Sequence, residues 1–221
     1  FALEGRKRKD FYRIMNRPSR YISRSAVNGE TVDFDILVIA VGVRPNTELV
    51  SDAGGKVEKG IITDLHQQTT IDNVYAAGDC TVSHDCSSNT DRILALLPNA
   101  FMQGEVAGKN MAGEETLYLN AIPMNAIGFY GLHIITAGSY DGDEDITEDA
   151  DKEIYKKLVF KDGLLKGFIL MGDVARAGIY TSMIKEQIPL TEVDLDLLRD
   201  KPQMMMFGKA RREEKLAGKK H

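Results

Sequence analysis

Residues Gly78 and Asp79 are the first place in this chain where residue type and spacing point to ligand chemistry. They follow a short apolar segment, residues 73–77, and precede a stretch with helical spacing at residues 98–111. A buried strand that ends in Gly-Asp and leads to a helix is a recurring α/β arrangement, and it presents a carboxylate at the edge of a ligand crevice. Asp after Gly is also common in plain turns. The local pattern therefore leaves two interpretations of Asp79 open, a ligand contact and a turn cap.

Cysteine and histidine give no second chemical site. Cys80 and Cys86 lack the CxxC spacing of a metal or redox pair, and two cysteines are too few for a disulfide framework. The four histidines are scattered, and no pair has the i, i+4 spacing of a helical metal site: His66, His84, His133 and His221. We expect two unrelated free thiols and no bound metal.

The composition is that of an ordinary globular protein and excludes several function classes. Hydrophobic residues make up 43% and charged residues 28% of the chain, and the formal net charge of -5 gives no general attraction to nucleic-acid phosphates. No apolar run approaches the roughly 20 residues needed to span a bilayer, and the N-terminal FALEGRKRKD lacks the apolar stretch of a signal peptide. We expect no nucleic-acid or membrane partner and a cytoplasmic location.

The elements that must position Asp79 have the pattern of an α/β layer. Residues 34–41 are almost continuously apolar, which is typical of a strand buried on both faces of a parallel sheet. Short strands are also predicted at residues 56–58, 61–62 and 73–77. Pro98 suits the first turn of the helix predicted at residues 98–111. The apolar spacing of that helix comprises Ala100, Phe101, Val106, Ala107 and Met111.

The leading residues are less informative. Residues 1–20 carry seven basic side chains among a few apolar ones, a pattern that fits either a short amphipathic helix or a solvated charged face. Asn28-Gly29 predicts a tight hairpin turn, because both positions of a type I′ turn need a positive φ. These leading residues therefore predict no function of their own.

Beyond Gly113-Glu114-Glu115 the periodicity changes to that of antiparallel strands, and this is the predicted domain boundary. Strands are expected within residues 126–137, 155–160 and 164–171. The last two are joined by Asp162-Gly163, the strongest short hairpin signal in the chain. Three further predictions complete the region: a solvated acidic loop at 141–151, a helix at 174–187 and a frayed tail from Lys209.

Three longer motifs follow one another along the first half of the chain: FDILVIAVGVRPNTEL, GIITDLHQQTTIDNVYAAGDC and ALLPNAFMQGEVAGKNMAG. Their order and spacing resemble the closing half of the flavin domain in flavoproteins with two dinucleotide-binding domains, over residues 31 to about 113. That family includes rubredoxin reductases, NADH oxidases, coenzyme A disulfide reductases and the large subunits of NADH-dependent nitrite reductases. The resemblance implies an α/β fold class, with an incomplete FAD-binding domain followed by a small α+β interface domain.

The resemblance also assigns cofactor-binding residues. The aspartate at the position of Asp79 accepts a hydrogen bond from the ribityl chain of FAD in that family, and a glycine at the position of Gly78 lets the backbone come close. A helix that starts at Pro98, Asn99 and Ala100 would aim its N–H groups at the pyrimidine side of the flavin and stabilise its reduced anion. These five residues are the predicted cofactor site, and no catalytic residue is assigned.

The second half of the chain indicates which members of that family the sequence resembles most. MNAIGFYGLHIITAGS and the strands and helix after it resemble the interface domain of nitrite-reductase-type and rubredoxin-reductase-type members. This implies a homodimer through that domain and an electron-acceptor protein as partner. The tail lacks the aromatic-proline segment with which disulfide reductases usually end, which argues against disulfide chemistry. The predicted domains are a leading segment at 1–30, the closing half of the FAD domain at 31–116 and the interface domain at 117–221.

The function implied by the resemblance is transfer of electrons from NAD(P)H through FAD to an acceptor such as nitrite-reducing cofactors, rubredoxin or oxygen. No GxGxxG occurs in the chain, so neither pyrophosphate-binding turn of such an enzyme is present. We therefore expect a piece of a longer enzyme that is not competent alone. The alternative is a non-catalytic module that only holds subunits together.

Overall fold

The chain forms two compact units, residues 1–44 and 45–221, in a computed structural model that describes residues 23–25, 31–33 and 40–217. In the first unit, strand β1 (Ser23–Ser25) pairs antiparallel with strand β2 (Thr31–Asp33). The predicted turn at Asn28-Gly29 lies outside the described residues, as do residues 1–20 and most of the strand predicted at 34–41. The last two residues of that strand, Ala40 and Val41, are exposed and belong to no strand.

The second unit begins with short elements and one long helix. They are α1 (Glu48–Asp52), β3 (Ile61–Ile62), β4 (Thr81–Asp85), β5 (Thr90–Arg92) and α2 (Leu97–Met111). Strands β3 and β4 run parallel, and β4 and β5 run antiparallel. The predicted helix at 98–111 is confirmed to within one residue, with Pro98 in its first turn. The α/β character predicted from the sequence is confirmed as well.

Two of the predicted strands in this region are wrong. Residues 56–58 contribute a single bridge between Val57 and Ile61, and residues 73–77 a single bridge between Tyr75 and Gln68. In the second segment the Ala76 N–H donates to the Gln67 carbonyl oxygen at 3.0 Å, so the chain folds back on the turn before it. Asp79 therefore lies in a turn ahead of β4, and not at the end of a strand.

The buried face of α2 is more polar than its apolar spacing predicted. Asn99, Gln103, Val106 and Ala107 face inward, whereas Phe101 is 73% exposed. The physical reason is that this face meets backbone N–H and C=O groups, which require hydrogen-bond partners when they are buried. The sequence pattern identified only the apolar part of the face.

A five-stranded antiparallel sheet dominates the rest of the unit. Its strands are β6 (Met124–Phe129), β7 (Leu132–Gly138), β8 (Asp143–Asp149), β9 (Ile154–Lys161) and β10 (Leu164–Met171), in the order β6-β7-β10-β9-β8. Asp162 and Gly163 have φ values of 53° and 71°, so the predicted type I′ hairpin turn is confirmed.

Helix α3 (Ala177–Lys185) covers one face of this sheet, packing on β7 and β10. The predicted helix at 174–187 is thus shorter at both ends, because Arg176 takes a left-handed conformation just before it and Gln187 takes one just after its C-cap. Under α3 lies the main apolar core, which includes Leu158, Phe168, Leu170, Tyr180 and Met183. Two short helices follow, α4 (Leu195–Arg199) and α5 (Lys209–Ala217).

The predicted acidic loop is wrong, and so is the predicted fraying of the tail as far as Ala217; residues 218–221 lie outside the described residues. Residues 143–149 form the edge strand β8, because pairing with β9 satisfies the backbone while Glu144 and Asp145 find cationic partners in Lys157 and Arg199. The tail forms α5, which ion pairs fasten to the domain: Arg211 to Glu192 at 2.8 Å and Lys215 to Glu186 at 2.9 Å. None of the helices in the described ranges is long and apolar enough to cross a membrane.

Candidate functional site

The turn at Gly78-Asp79 is fixed against helix α2. Gly78 has a φ of 90°, and a Cβ atom there would lie 3.5 Å from the Cβ of Ala100. The Gly78 N–H donates to Oε1 of Gln103 at 2.6 Å, and the Thr81 N–H donates to the Gly78 carbonyl oxygen at 3.0 Å. The structure thus brings together the Gly-Asp turn and the helix start that the sequence separated by about twenty residues, with the Asp79 side chain exposed beside them.

The start of α2 offers N–H groups, although not the ones expected. No side chain caps this helix, and Pro98 has no N–H to offer. The Ala100 N–H already donates to the Leu96 carbonyl oxygen at 3.0 Å, because Ala100 is the first residue with an acceptor four positions back. The groups without an intrahelical acceptor are therefore those of Leu97 and Asn99. The positive end of the helix dipole is therefore at the expected position, but its free N–H groups belong to Leu97 and Asn99 and not to Asn99 and Ala100.

The side chain of Asn99 has a structural task. It is fully buried, its Nδ2 donates to the Ile122 carbonyl oxygen at 3.1 Å, and its Oδ1 accepts from the Tyr118 hydroxyl at 2.9 Å. Asn110 lies at the other end of α2 and also uses both side-chain atoms. Its Nδ2 donates to the Thr116 carbonyl oxygen at 2.7 Å, and its Oδ1 accepts from the Thr116 N–H at 3.2 Å. Only the backbone of Asn99 is therefore available to a ligand.

A cleft of about 420 Å³ lies beside this helix start. Its walls come from the approach to α2, from the beginning of β6 and from β7 with the turn after it: residues 92–96, 123–125, 136 and 138–140. Asp79 does not line this cleft, so the structure places the predicted carboxylate and the cleft on separate parts of the surface around the helix start.

Gln103 is the residue that sequence reasoning missed. It is 2% exposed, accepts from Gly78 and donates its Nε2 to the Ser83 hydroxyl. This side chain joins the Gly-Asp turn, strand β4 and helix α2. A signal existed in the sequence, because Asn99, Gln103, Val106 and Asn110 recur at the i, i+4, i+7, i+11 spacing of one helix face.

The two cysteines do not act together. Cys80 donates to the Ala77 carbonyl oxygen at 3.5 Å, and Cys86 is a separate, buried free thiol. Burial raises the pKa of the Cys86 thiol, and the neighbouring Asp85 carboxylate raises it further. A thiol in this environment stays protonated and is a poor nucleophile. Within the described part of the chain, no group of three or more His, Cys, Asp or Glu side chains is arranged to hold a metal ion.

Comparison with known proteins agrees with this architecture. Residues 11–104 match the family described as pyridine nucleotide-disulphide oxidoreductase, and residues 123–188 match the rubredoxin NAD+ reductase C-terminal domain. The chain thus carries a pyridine nucleotide-disulphide oxidoreductase segment followed by a rubredoxin NAD+ reductase C-terminal domain. The family predicted from the three sequence motifs is confirmed.

Two curated relatives and one solved structure illustrate the similarity. The NADH-dependent phenylglyoxylate dehydrogenase subunit epsilon of Aromatoleum evansii is 34% identical over 74% of this chain and 40% of that protein. The nitrite reductase [NAD(P)H] of Bacillus subtilis is 29% identical over 75% of this chain and 20% of that protein. A ferredoxin reductase of Rhodopseudomonas palustris shares the fold, with a TM-score of 0.69 and 21% identity over 80% of this chain and 45% of that one. The chain thus spans less than half the length of these relatives.

Proposed function

We propose that this protein works as an FAD-dependent NAD(P)H oxidoreductase that passes electrons from NAD(P)H through FAD to an acceptor. The observation that carries the proposal is the contact between the Gly78-Asp79 turn and the start of α2, which Gln103 fastens at 2.6 Å. The names of the relatives support the donor, since both curated relatives use NADH or NAD(P)H. They also support nitrite-reducing centres or a small redox protein as acceptor, with oxygen as a third choice. The NAD(P)H requirement favours a cytoplasmic location.

The residues present fit a flavin dinucleotide. Gly78 takes a φ that favours glycine and leaves the backbone open to close approach, and the exposed Asp79 carboxylate is able to accept a hydrogen bond from a ribityl hydroxyl. The start of α2, at Pro98, Asn99 and Ala100, would place the positive end of the helix dipole near the flavin. Ala100 contributes by packing against Gly78, and Asn99 by its backbone N–H. When bound, FAD supplies the hydride and electron transfer, and these residues bind and orient it.

Substitution of Asp79 tests the proposal in the complete parent protein. Asp79→Ala removes a charge-assisted hydrogen bond worth roughly 1.5–3 kcal/mol, so the dissociation constant for FAD should rise roughly 10- to 150-fold. Asp72→Ala is the matched control, because Asp72 is another exposed aspartate in a nearby turn. Titration of FAD into the stripped protein measures both. An unchanged constant in well-folded Asp79→Ala would leave Asp79 as a turn residue.

The C-terminal domain is the proposed dimer interface. We propose a division into residues 31–116 and 117–221, and the large apolar core under α3 supports it. The sheet face away from α3 carries Ile127 and Ile146, each about half exposed, where a second copy of the sheet is able to pack. Light scattering should give a particle of about twice the 24.5 kDa chain mass. Ile127→Glu should halve it, whereas Met205→Glu, at an exposed site elsewhere, should not.

A non-catalytic dimerisation module remains the second candidate, favoured by the self-contained core of the C-terminal domain. The two candidates differ in whether the protein takes up flavin. A yellow flavin absorbance that survives gel filtration of the whole protein supports the oxidoreductase. A dimer that never takes up flavin supports the module.

A further inference from the structure

A second and larger cleft, of about 900 Å³, is lined by residues other than Gly78, Asp79 and the start of α2. Its walls come from β3 and the turn after it, from β4, from the segment that precedes β6 and from the ends of α3 and α5. The volume is in the range of pockets that hold small molecules. Nothing in the proposed oxidoreductase function uses it.

The carboxylates that line this cleft are already engaged. Asp64 accepts the backbone N–H groups of His66 and Gln68, both at 2.9 Å. The other lining carboxylates form ion pairs: Asp91 with His84 at 3.0 Å, Glu186 with Lys215 at 2.9 Å and Glu214 with Arg211 at 3.2 Å. The remaining recognition capacity of the cleft therefore lies in its neutral and cationic groups.

Gln67 is the first of these groups. Its side chain is 2% exposed and lines the cleft, and among the described residues no partner is present for its Oε1. The backbone at Gln67 has a φ of 65° and is held by two hydrogen bonds, from its own N–H to the Asp64 carbonyl oxygen and from the Ala76 N–H to its carbonyl oxygen. A buried acceptor of this kind needs a donor, and the two backbone hydrogen bonds fix the turn from which the side chain extends.

Lys185 is the second group. It lies at the C-terminal end of α3 and lines the same cleft, and no hydrogen bond or ion pair engages its Nζ within the described ranges. Lys185 is half-buried, and this burial lowers the pKa of its ammonium group. The same cleft also has apolar lining residues, among them Leu65, Val82 and Tyr118.

We propose that this cleft binds a small hydroxy-carboxylic acid with an apolar body. Its carboxylate pairs with the Lys185 ammonium, its hydroxyl donates to Oε1 of Gln67, and its body packs against Leu65 and Tyr118. A carboxylate that also carries a hydroxyl pairs with Lys185 and donates to Gln67 at the same time. A simple anion has no donor for Gln67, and a neutral alcohol has no charge for Lys185. Because the Tyr118 hydroxyl bonds to Asn99, a ligand here would also touch the residue that supports the start of α2.

Binding of aromatic acids tests this proposal without any flavin. The probes are 2-, 3- and 4-hydroxybenzoate, which vary the spacing between hydroxyl and carboxylate, with benzoate lacking the hydroxyl and 4-hydroxybenzamide lacking the charge. Affinities are measured by calorimetry on this chain. We expect at least one hydroxybenzoate to bind about tenfold more tightly than benzoate and than the amide.

Three variants then assign the contacts. Gln67→Leu should remove the preference for the hydroxyl and leave benzoate binding unchanged, and it should fold well because it deletes an unpaired buried oxygen. Lys185→Gln should weaken all the acids by about tenfold, Lys185→Arg should retain binding, and the exposed Lys56→Gln is the control. If no probe binds, or if Gln67→Leu keeps the hydroxyl preference, the site is overturned and Gln67 is a residue bridged by water.

Discussion

The two halves of the larger unit are held together by different kinds of burial. Residues 61–121 bury eight polar side chains beside a small apolar cluster, whereas the buried side chains of residues 122–207 are apolar. The buried polar residues among those described all fall in the first half: Gln67, Thr69, Thr81, Ser83, Asp85, Ser87, Asn99 and Gln103. Apolar burial is non-directional and tolerates change in its neighbours, whereas a polar network is stable only while every partner is in place. In the first half, a single substitution should therefore lower stability by removing one particular hydrogen-bond partner.

The largest expected effect is in the apolar half. Phe168→Ala empties a fully buried position whose ring lies 5.4 Å from that of Tyr180, so unfolding free energy should fall by about 3–5 kcal/mol. Phe101→Ala, at a 73% exposed position on α2, should change it little. Urea denaturation measures both. Equal effects would mean that the apolar core does not carry the stability of this half.

The next effect is in the polar half. The buried Asp85 carboxylate accepts hydrogen bonds from the hydroxyls of Ser87 and Ser88, at 2.6 Å and 2.9 Å, and pairs with Arg92 at 3.1 Å. Asp85→Asn keeps the shape and removes the charge, so it should lower unfolding free energy by about 1.5–3 kcal/mol. Hydrogen exchange should show the loss in β4 and β5, with α3 unchanged. Asp91→Asn, an exposed aspartate on β5, is the control, and a loss spread evenly over both halves would contradict the comparison.

The smallest effect is a pair of glycine substitutions in the apolar half with opposite signs. Gly163→Ala forces a left-handed alanine at a φ of 71°, where no neighbour would meet the new methyl group, so only the backbone strain of roughly 1 kcal/mol remains. Gly178→Ala, also in open space but with no positive φ and inside α3, should stabilise by about 0.5–1 kcal/mol. Thermal unfolding of the two variants checks both signs, and the same sign for both would exclude a backbone origin.

The sequence predicted the second half better than the first, for a related reason. Strands β9 and β10, the Asp162-Gly163 turn and helix α3 each carry a local signal that agrees with their packing. Edge strand β8 was missed because its acidic residues oppose strand formation locally and are stabilised only by Lys157 and Arg199 from distant elements.

In the first half, the family resemblance placed Gly78 and the start of α2 in one site, and the structure puts them in contact. The role of Gln103 was missed because its partners, Gly78 and Ser83, lie about twenty residues away. The segment at 73–77 has the composition of a strand, yet strand formation depends on a neighbouring strand that composition does not supply. Local pattern therefore predicts self-contained elements well and elements that depend on distant partners poorly.

The two asparagines of α2 set a length that the chain must keep. Asn99 and Asn110 are eleven residues apart, about 16 Å along a helix, and they hold Ile122 with Tyr118 at one end and Thr116 at the other. The segment 116–122 is thus held at both of its ends by hydrogen bonds to the helix, so its length must match the distance between the two asparagines. An extra residue in the turn at 112–115 should leave the hydrogen bonds of both asparagines intact, because the turn lies outside the segment. An extra residue between 117 and 121 would make the segment too long for both sets of hydrogen bonds. The start of α2 would then lose the bonds from Asn99 to Ile122 and Tyr118 that position it.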